Sequence, residues 1–262
     1  LSLRAATVVA KPVTDPLAGC TGAVLHGPGV AAVATLPALL PELRLLRPRD
    51  AADFGADVVL AWGRKPSALR AEAWARSQGL PIRWLEDGFL RSVGLGPDEP
   101  PLSIVVDDEG IYYDASGPSR LESLVLAGVD AAGQGRAEAL VAQWREARAS
   151  KYNQAREIPG LVRDGDVLVV DQTFGDASIA FGAASPASFT RMLEAALDEH
   201  PAARILLKVN PLDPHLARHA GRQFHQHLAL THDRVIKLRN LIALRQVRIE
   251  IILAVKSRAQ VD

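Results

Sequence analysis

Short blocks of continuous apolar residues alternate along this chain with longer blocks that repeat at helical spacing. "ADVVLAW" at 56–62 reads as a short strand buried on both faces. Pro66 suits a helix start and Gly79 its end, and Leu69, Ala73 and Trp74 fall roughly on one face between them. "PIRWL" at 81–85 predicts the next strand, and "LSIVV" at 102–106 another, with "GIYYD" at 110–114 expected to pair with it as a hairpin. Residues 119–155 read as helical, opened by Ser119 with Glu122 three residues on, a reciprocal cap.

The pattern then restarts. "VLVVD" at 167–171 predicts a strand. Ser185 and Pro186 open a helix carrying Phe189, Met192, Leu193, Ala196 and Leu197, and "RILLKV" at 204–209 is the following strand. Two runs of alternating strand and helix imply an α/β fold with doubly wound parallel sheets. From about Asn210 the pattern changes: His215, His219, His225, His227 and His232 crowd together, and "IEIILAV" at 249–255 has no clear helical partner.

Composition narrows the class. The 262 residues are 48% hydrophobic, enough for one large domain or two small ones with real cores. Thirty basic and thirty acidic residues cancel, so no net field draws the chain to nucleic acid or an anionic membrane. A single cysteine, Cys20, excludes an internal disulfide and a cysteine-based zinc site, and fits a reducing, cytoplasmic setting. The most apolar window, 23–40, is broken by His26, Gly27, Pro28 and Gly29 and cannot span a bilayer. No leader pattern precedes it, and the first residue, Leu1, suggests a fragment or a processed start.

Candidate chemistry gathers where strands end, because loops and helix N-termini converge at that edge of a parallel sheet. "VLVVDQTFGDAS" at 167–178 ends its strand at Asp171 and carries Asp176 in the departing loop. Pattern alone leaves these aspartates interchangeable between chemistry and bracing. "LEDGFLRS" at 85–92 packs Glu86, Asp87, Gly88, Arg91 and Ser92 into one loop, either as a polar site or as an Arg–carboxylate brace. "WGRKPS" at 62–67 sets Arg64 and Lys65 before a helix N-terminus, suited to an anion or to a basic surface turn. The histidines lack the carboxylate of a His-Glu-x-x-His motif, which favours a surface role over a metal. A phosphatase built on Asp171 would need a second aspartate at position 173, where Thr173 stands.

Several longer strings together resemble the capsular polysaccharide β-Kdo transferases of the KpsC/LipB type: "WGRKPS", "RWLEDGFLRSVGLG", "PPLSIVVDDEGIYYDASGPSRLE", "SKYN", "VLVVDQTFGDASI" and "FTRMLEAALDEHPAARILLKV". The resemblance implies a GT-B-like architecture of two Rossmann-like lobes. An acceptor-side lobe would span 1–118, a helical connection 119–160, and the start of a CMP-binding lobe 161–209. It implies retaining transfer of β-Kdo from CMP-β-Kdo to a lysophosphatidylglycerol-based glycolipid, in capsule biosynthesis and export. No cofactor or metal is expected beyond the nucleotide-sugar donor. The expected partners are that donor, the glycolipid at the inner-membrane surface and the capsule assembly and export machinery, without nucleic acid; the expected location is cytoplasmic, peripheral at the membrane.

The family motif places the nucleophile at Asp176, with Asp171 as support. A carboxylate suits the role because it is ionised at neutral pH and forms a displaceable ester. Glu86 or Asp87 would take the acceptor proton. Lys65, Arg91, Ser92, Gln172, Thr173, Lys208 and Asn210 would bind substrate. Relatives follow "KV" with His-Pro-Asp, whereas this chain has Asn210 in the histidine's place. An asparagine can donate one hydrogen bond but carries no charge for the departing phosphate. No "SQxGFEALL"-type stretch follows either. The second lobe is therefore expected to be incomplete, truncated or frameshifted after about residue 209, with 210–262 an atypical tail. The alternative is a non-catalytic remnant of such an enzyme.

Overall fold

The computed structural model describes residues 14–94, 99–153, 160–170, 172, 175–208 and 235–238. Two sheets organise them. The first holds β1 (Gly22–Leu25), β2 (Arg44–Leu46), β3 (Val58–Trp62), β4 (Ile82–Asp87) and β5 (Ile104–Asp107), in the order β2-β1-β3-β4-β5. All neighbours run parallel except β5, which pairs antiparallel with β4 at the edge.

Strand β3 is buried on both faces, as its unbroken apolar run requires. Val58 and Leu60 meet Ala23, Leu36 and Leu85 on one side, while Val59 and Ala61 meet Ala68, Ala71 and Ala75 on the other. Two one-turn helices, α1 (Pro28–Ala31) and α2 (Leu36–Leu39), precede β2, and those alanines belong to α3 (Pro66–Gln78), whose small face lets the helix lie close to the sheet. The buried face is thus Ala68, Ala71 and Ala75 with Trp74 half-buried, and Leu69 and Ala73, expected on it, are exposed, Leu69 by 52%. Gly79 ends the helix at φ 68, and a Schellman pair closes it: Leu80 N–H donates to the Ala75 carbonyl at 2.9 Å and Gly79 N–H to that of Arg76 at 3.2 Å.

Residues 110–114 do not form the expected hairpin strand. The fully buried Asp107 carboxylate accepts the backbone N–H groups of Glu109 and Gly110, each at 2.9 Å, and of Arg120, which curls the chain into a turn. β5 pairs with β4 instead. The expected single helix over 119–155 is two: α4 (Arg120–Ala127) and α5 (Ala131–Glu146), parted at Gly128. Ser119 does cap the first, accepting Glu122 N–H at 3.2 Å.

The second sheet is parallel throughout, in the order β6-β7-β8. It comprises β6 (Val167–Val170), β7 (Ile205–Lys208) and β8 (Val235–Leu238). Helix α7 (Pro186–Glu199) lays Leu193 and Ala196 against Val169, Ile205 and Leu207, while Met192 turns outward. Ser185 and Ser188 form its capping box. The third strand comes from the stretch after residue 209, where the sequence shows no strand–helix rhythm.

Candidate active site at the junction of the two lobes

Glu86 and Asp87 end β4, the last parallel strand of the first sheet. Glu86 Oε1 accepts from Trp62 Nε1 at 3.3 Å and from Asp87 N–H at 3.1 Å. Burial pushes its carboxyl above the usual carboxylate range, and the neighbouring Asp87 charge adds to this, against the Asp87 N–H, Lys151 and Trp62. Asp87 is differently placed. Its Oδ2 lies 2.9 Å from Arg91 Nε, and Arg91 also donates to Ser92 Oγ at 2.9 Å. Arg91 and Ser92 are therefore held within their own loop, the brace that the sequence left open.

That loop is strapped to the "SKYN" segment. Arg91 and Ser92 N–H donate to the Lys151 carbonyl at 3.0 and 3.2 Å, Asn153 N–H returns to Val93, and Ser92 bridges Tyr152. Arg91 lies 5.8 Å from the Tyr152 ring centroid and Lys151 5.7 Å. Three tyrosines line this region. Tyr112 and Tyr113 meet edge to face at 5.6 Å, and burial together with the Glu86 charge raises the phenols of both. Tyr152 is raised by burial and then by Asp87.

Asp176 arrives from the second lobe. It is exposed and caps α6 (Ala177–Phe181), its Oδ1 accepting Ser178 N–H at 2.9 Å. The Phe181 carbonyl accepts Ala115 N–H at 2.8 Å, which ties α6 to the loop carrying Tyr113. The Asp176 charge acts on both Tyr113 and Tyr152. Glu86 and Asp176, far apart in sequence, thus act on the same tyrosines.

The remaining candidates divide. Lys208 is the last residue of β7, in register with Val170 and Leu238, at the sheet edge from which the Asp176 loop departs. Gln172 is exposed in that loop. Lys65 is exposed at the start of α3 on the first lobe. Asp171, Thr173, Asn210 and the five clustered histidines lie outside the described residues. Among the described residues no group of three or more His, Cys, Asp or Glu stands together as a metal site. No described helix is long and apolar enough to cross a membrane.

Sequence reasoning missed Tyr112, Tyr113, Tyr152 and Lys151, along with the Arg64–Asp114 pair behind them. The signal is present in the strings "GIYYDASG" and "SKYN", whose tyrosines follow no helical or strand periodicity.

The family model of capsule polysaccharide biosynthesis proteins matches residues 57–158 and 132–248. The chain belongs to this family. The second match runs past residue 209, where the resemblance gives out in the sequence, and takes in β8. Two capsule polysaccharide modification proteins LipA of Neisseria meningitidis, from serogroups A and B, are each 41% identical over 192 residues, covering 70% of this chain and 27% of theirs. The lipopolysaccharide-processing protein LpsZ of Rhizobium meliloti is 37% identical over 166 residues, 60% of this chain and 38% of its own. The chain of this capsule family member therefore spans between about a quarter and two-fifths of the curated relatives' length.

Among solved structures, the β-Kdo 2,4-transferase of Thermosulfurimonas dismutans KpsC superposes with a TM-score of 0.68 at 35% identity, covering 83% of this chain and 68% of that one. The β-Kdo 2,7-transferase of the same protein gives 0.51 at 25% identity, covering 73% and 61%. The capsule family fold is accordingly α/β and GT-B-like.

Proposed function

We propose that this chain is a module of a retaining β-Kdo glycosyltransferase that acts in capsule polysaccharide biosynthesis. The donor is CMP-β-Kdo and the acceptor a lysophosphatidylglycerol-based glycolipid at the inner-membrane surface, delivered onward to the capsule assembly and export machinery. One observation carries the reading: the helix that Asp176 caps is hydrogen-bonded through its Phe181 carbonyl to Ala115 in the loop of Tyr113, whose hydroxyl lies with Glu86 Oε2 beside Gly63, in a chain 35% identical to a β-Kdo transferase.

In this reading Asp176 attacks the anomeric carbon, the bond to CMP breaks with its electron pair leaving on the phosphate, and Kdo is held as an ester. The acceptor hydroxyl then displaces Asp176 and gives its proton to Glu86. Glu86 suits this task better than Asp87, which is already paired with Arg91. A carboxyl raised by burial is a stronger base once ionised. Lys208, at the end of β7, would meet the phosphate, and Gln172, Thr173 and Asn210 would bind substrate with it; Lys65 would serve the acceptor side.

Incubation with CMP-Kdo followed by intact-mass measurement tests the reading. A mass increase of one Kdo residue, mapping to Asp176 and lost in Asp176→Asn, is expected. Asn210, standing where the family pattern has a histidine, favours one second reading, a non-catalytic remnant. Absence of both the adduct and CMP binding by calorimetry selects that reading.

A further inference from the structure

A single apolar side chain on a protein surface ordinarily needs no explanation. Phe89 differs in how it is held. It is 51% exposed and lies in the loop that leaves β4 directly after Glu86 and Asp87. Gly88 N–H donates to the Ser103 carbonyl at 2.9 Å, and Leu102 N–H to that of Arg91 at 2.7 Å. Ser103 Oγ donates to the Leu90 carbonyl, and the Asp87–Arg91 pair closes the loop from within. A Cβ at Gly88 would lie 2.0 Å from Ser103 Oγ and 2.9 Å from the Ser103 backbone, so only glycine admits this approach. A loop tied in this way presents its aromatic ring to water as a fixed surface.

The ring also stands at the end of a row. The Phe89 and Tyr112 centroids are 5.7 Å apart with the planes at 45°, and Tyr112 meets Tyr113 edge to face at 5.6 Å. The Tyr113 hydroxyl, which accepts the Arg64 N–H at 2.8 Å, lies with Glu86 Oε2 beside Gly63. Three rings thus lead from solvent at Phe89 toward the carboxylate at the end of β4. A pyranose has a face of C–H bonds and a rim of hydroxyls. An exposed aromatic face suits the first, and the phenols with the charged pair of the same loop suit the second. A hydrocarbon chain would use the rings alone and take those polar groups out of water without bonding them.

We propose that Phe89, backed by Tyr112, is a stacking platform for a pyranose ring of the acceptor, anchoring on the first lobe the chain whose hydroxyl is to react beside Glu86. This deepens the transferase reading and rests on it. It also gives the acceptor a binding surface apart from the charged groups of the site, since Asp87, Arg91 and Ser92 are engaged with one another.

The full chain labelled with para-fluorophenylalanine tests this by fluorine NMR, the Phe89 signal being the one lost both in Phe89→Leu and in Phe89→Tyr. Titration with the methyl glycoside of β-Kdo is expected to shift that signal. A signal that stays in place throughout the soluble range of the glycoside overturns the proposal. Lysophosphatidylglycerol below its micelle concentration is the second probe, with an acyl chain and no sugar; a shift with this lipid alone makes the surface an acyl-chain seat and likewise overturns it. In transfer assays Phe89→Leu should raise the KM for acceptor about tenfold with kcat nearly constant, the worth of one aromatic contact. The KM for CMP-Kdo should hold, and Phe89→Tyr should restore the wild-type acceptor value. An unchanged acceptor KM overturns the proposal, as does a fall in kcat alone, which marks a loop displaced around Glu86. Failure of the transferase reading looks different: the wild-type protein then makes no product, while the fluorine titration still decides the platform.

Discussion

The Arg64 Nε lies 2.8 Å from the Asp114 carboxylate, and its guanidinium sits 4.7 Å from the centroid of the Trp84 ring. Asp114 and Trp84 are both buried, and Asp114 also accepts from Ser116 N–H at 3.0 Å and from its hydroxyl. This pair sits behind the tyrosines and fixes the turn from which Arg64 N–H reaches Tyr113. Asp114→Ala would leave a largely desolvated guanidinium without its counter-ion, at a cost of about 3 kcal/mol. Urea unfolding at neutral pH measures it.

The same pair predicts an acid response. Burial pushes the Asp114 carboxyl up, but Ser116 and Arg64 together outweigh it and hold the group below the usual carboxylate range. Its folded value is thus lower than its unfolded one. The stability it contributes is present above the unfolded value, near ~3.9, and is lost as pH falls through the folded value. Asp114→Asn should remove that part of the acid unfolding profile; an unchanged acid limb would refute the assignment.

Asp176 combines two roles that substitution can separate. As the cap of α6 it accepts Ser178 N–H, and Asn can do the same. Asp176→Asn should therefore keep stability while losing the covalent adduct and about a thousandfold or more of transfer activity, as for other covalent nucleophiles. Asp176→Ala should lose both, with about 1 kcal/mol of stability going with the cap. Thermal unfolding paired with intact-mass measurement distinguishes the two variants.

How far these features were legible in the sequence follows from which forces set them. β3, α3, β6, α7 and β7 were readable because period and caps agree there: apolar runs between Pro66, Gly79, Ser185 and Pro186. β1 and β2 were not. Gly22–Leu25 lies inside an apolar window interrupted by glycine and proline, and Arg44–Leu46 is only three residues long. The turn at 110–114 depends on one buried carboxylate collecting amides from both ends, a tertiary event that a β-rich string such as "IYY" conceals. That Glu86 and Asp87 come at the end of an apolar strand was legible from the pattern. The tyrosines near Glu86 were not, because aromatic residues carry no position-specific signal until the chain is folded.

Glu86 carries the opposite pH sign from Asp114. Burial holds its carboxyl above the usual range, so the folded state prefers the neutral form and ionisation at neutral pH costs stability. Glu86→Gln should accordingly raise the unfolding temperature at neutral pH while abolishing the acid limb of transfer, a trade of activity for stability. The gain should vanish as pH falls below the ordinary carboxylate range, where the wild-type side chain is neutral in both states. A destabilised Glu86→Gln at neutral pH would mean that its bonds to Trp62 and Asp87 outweigh burial.

The helices between the lobes test what holds this fold together. None of the residues of α4 or α5 is buried, and Leu126, Leu140, Val141 and Trp144 stand exposed along them. Leu207, by contrast, is fully enclosed in the second core. A side chain that leaves water only in part contributes little on folding, whereas an enclosed one leaves a cavity when cut back. Trp144→Ala should therefore change unfolding free energy by no more than about 0.5 kcal/mol, while Leu207→Ala should cost about 2–5 kcal/mol. Urea midpoints for the two variants settle the contrast. A Trp144→Ala loss as large as that of Leu207→Ala would mean that α5 is packed against a part of the chain other than the two cores.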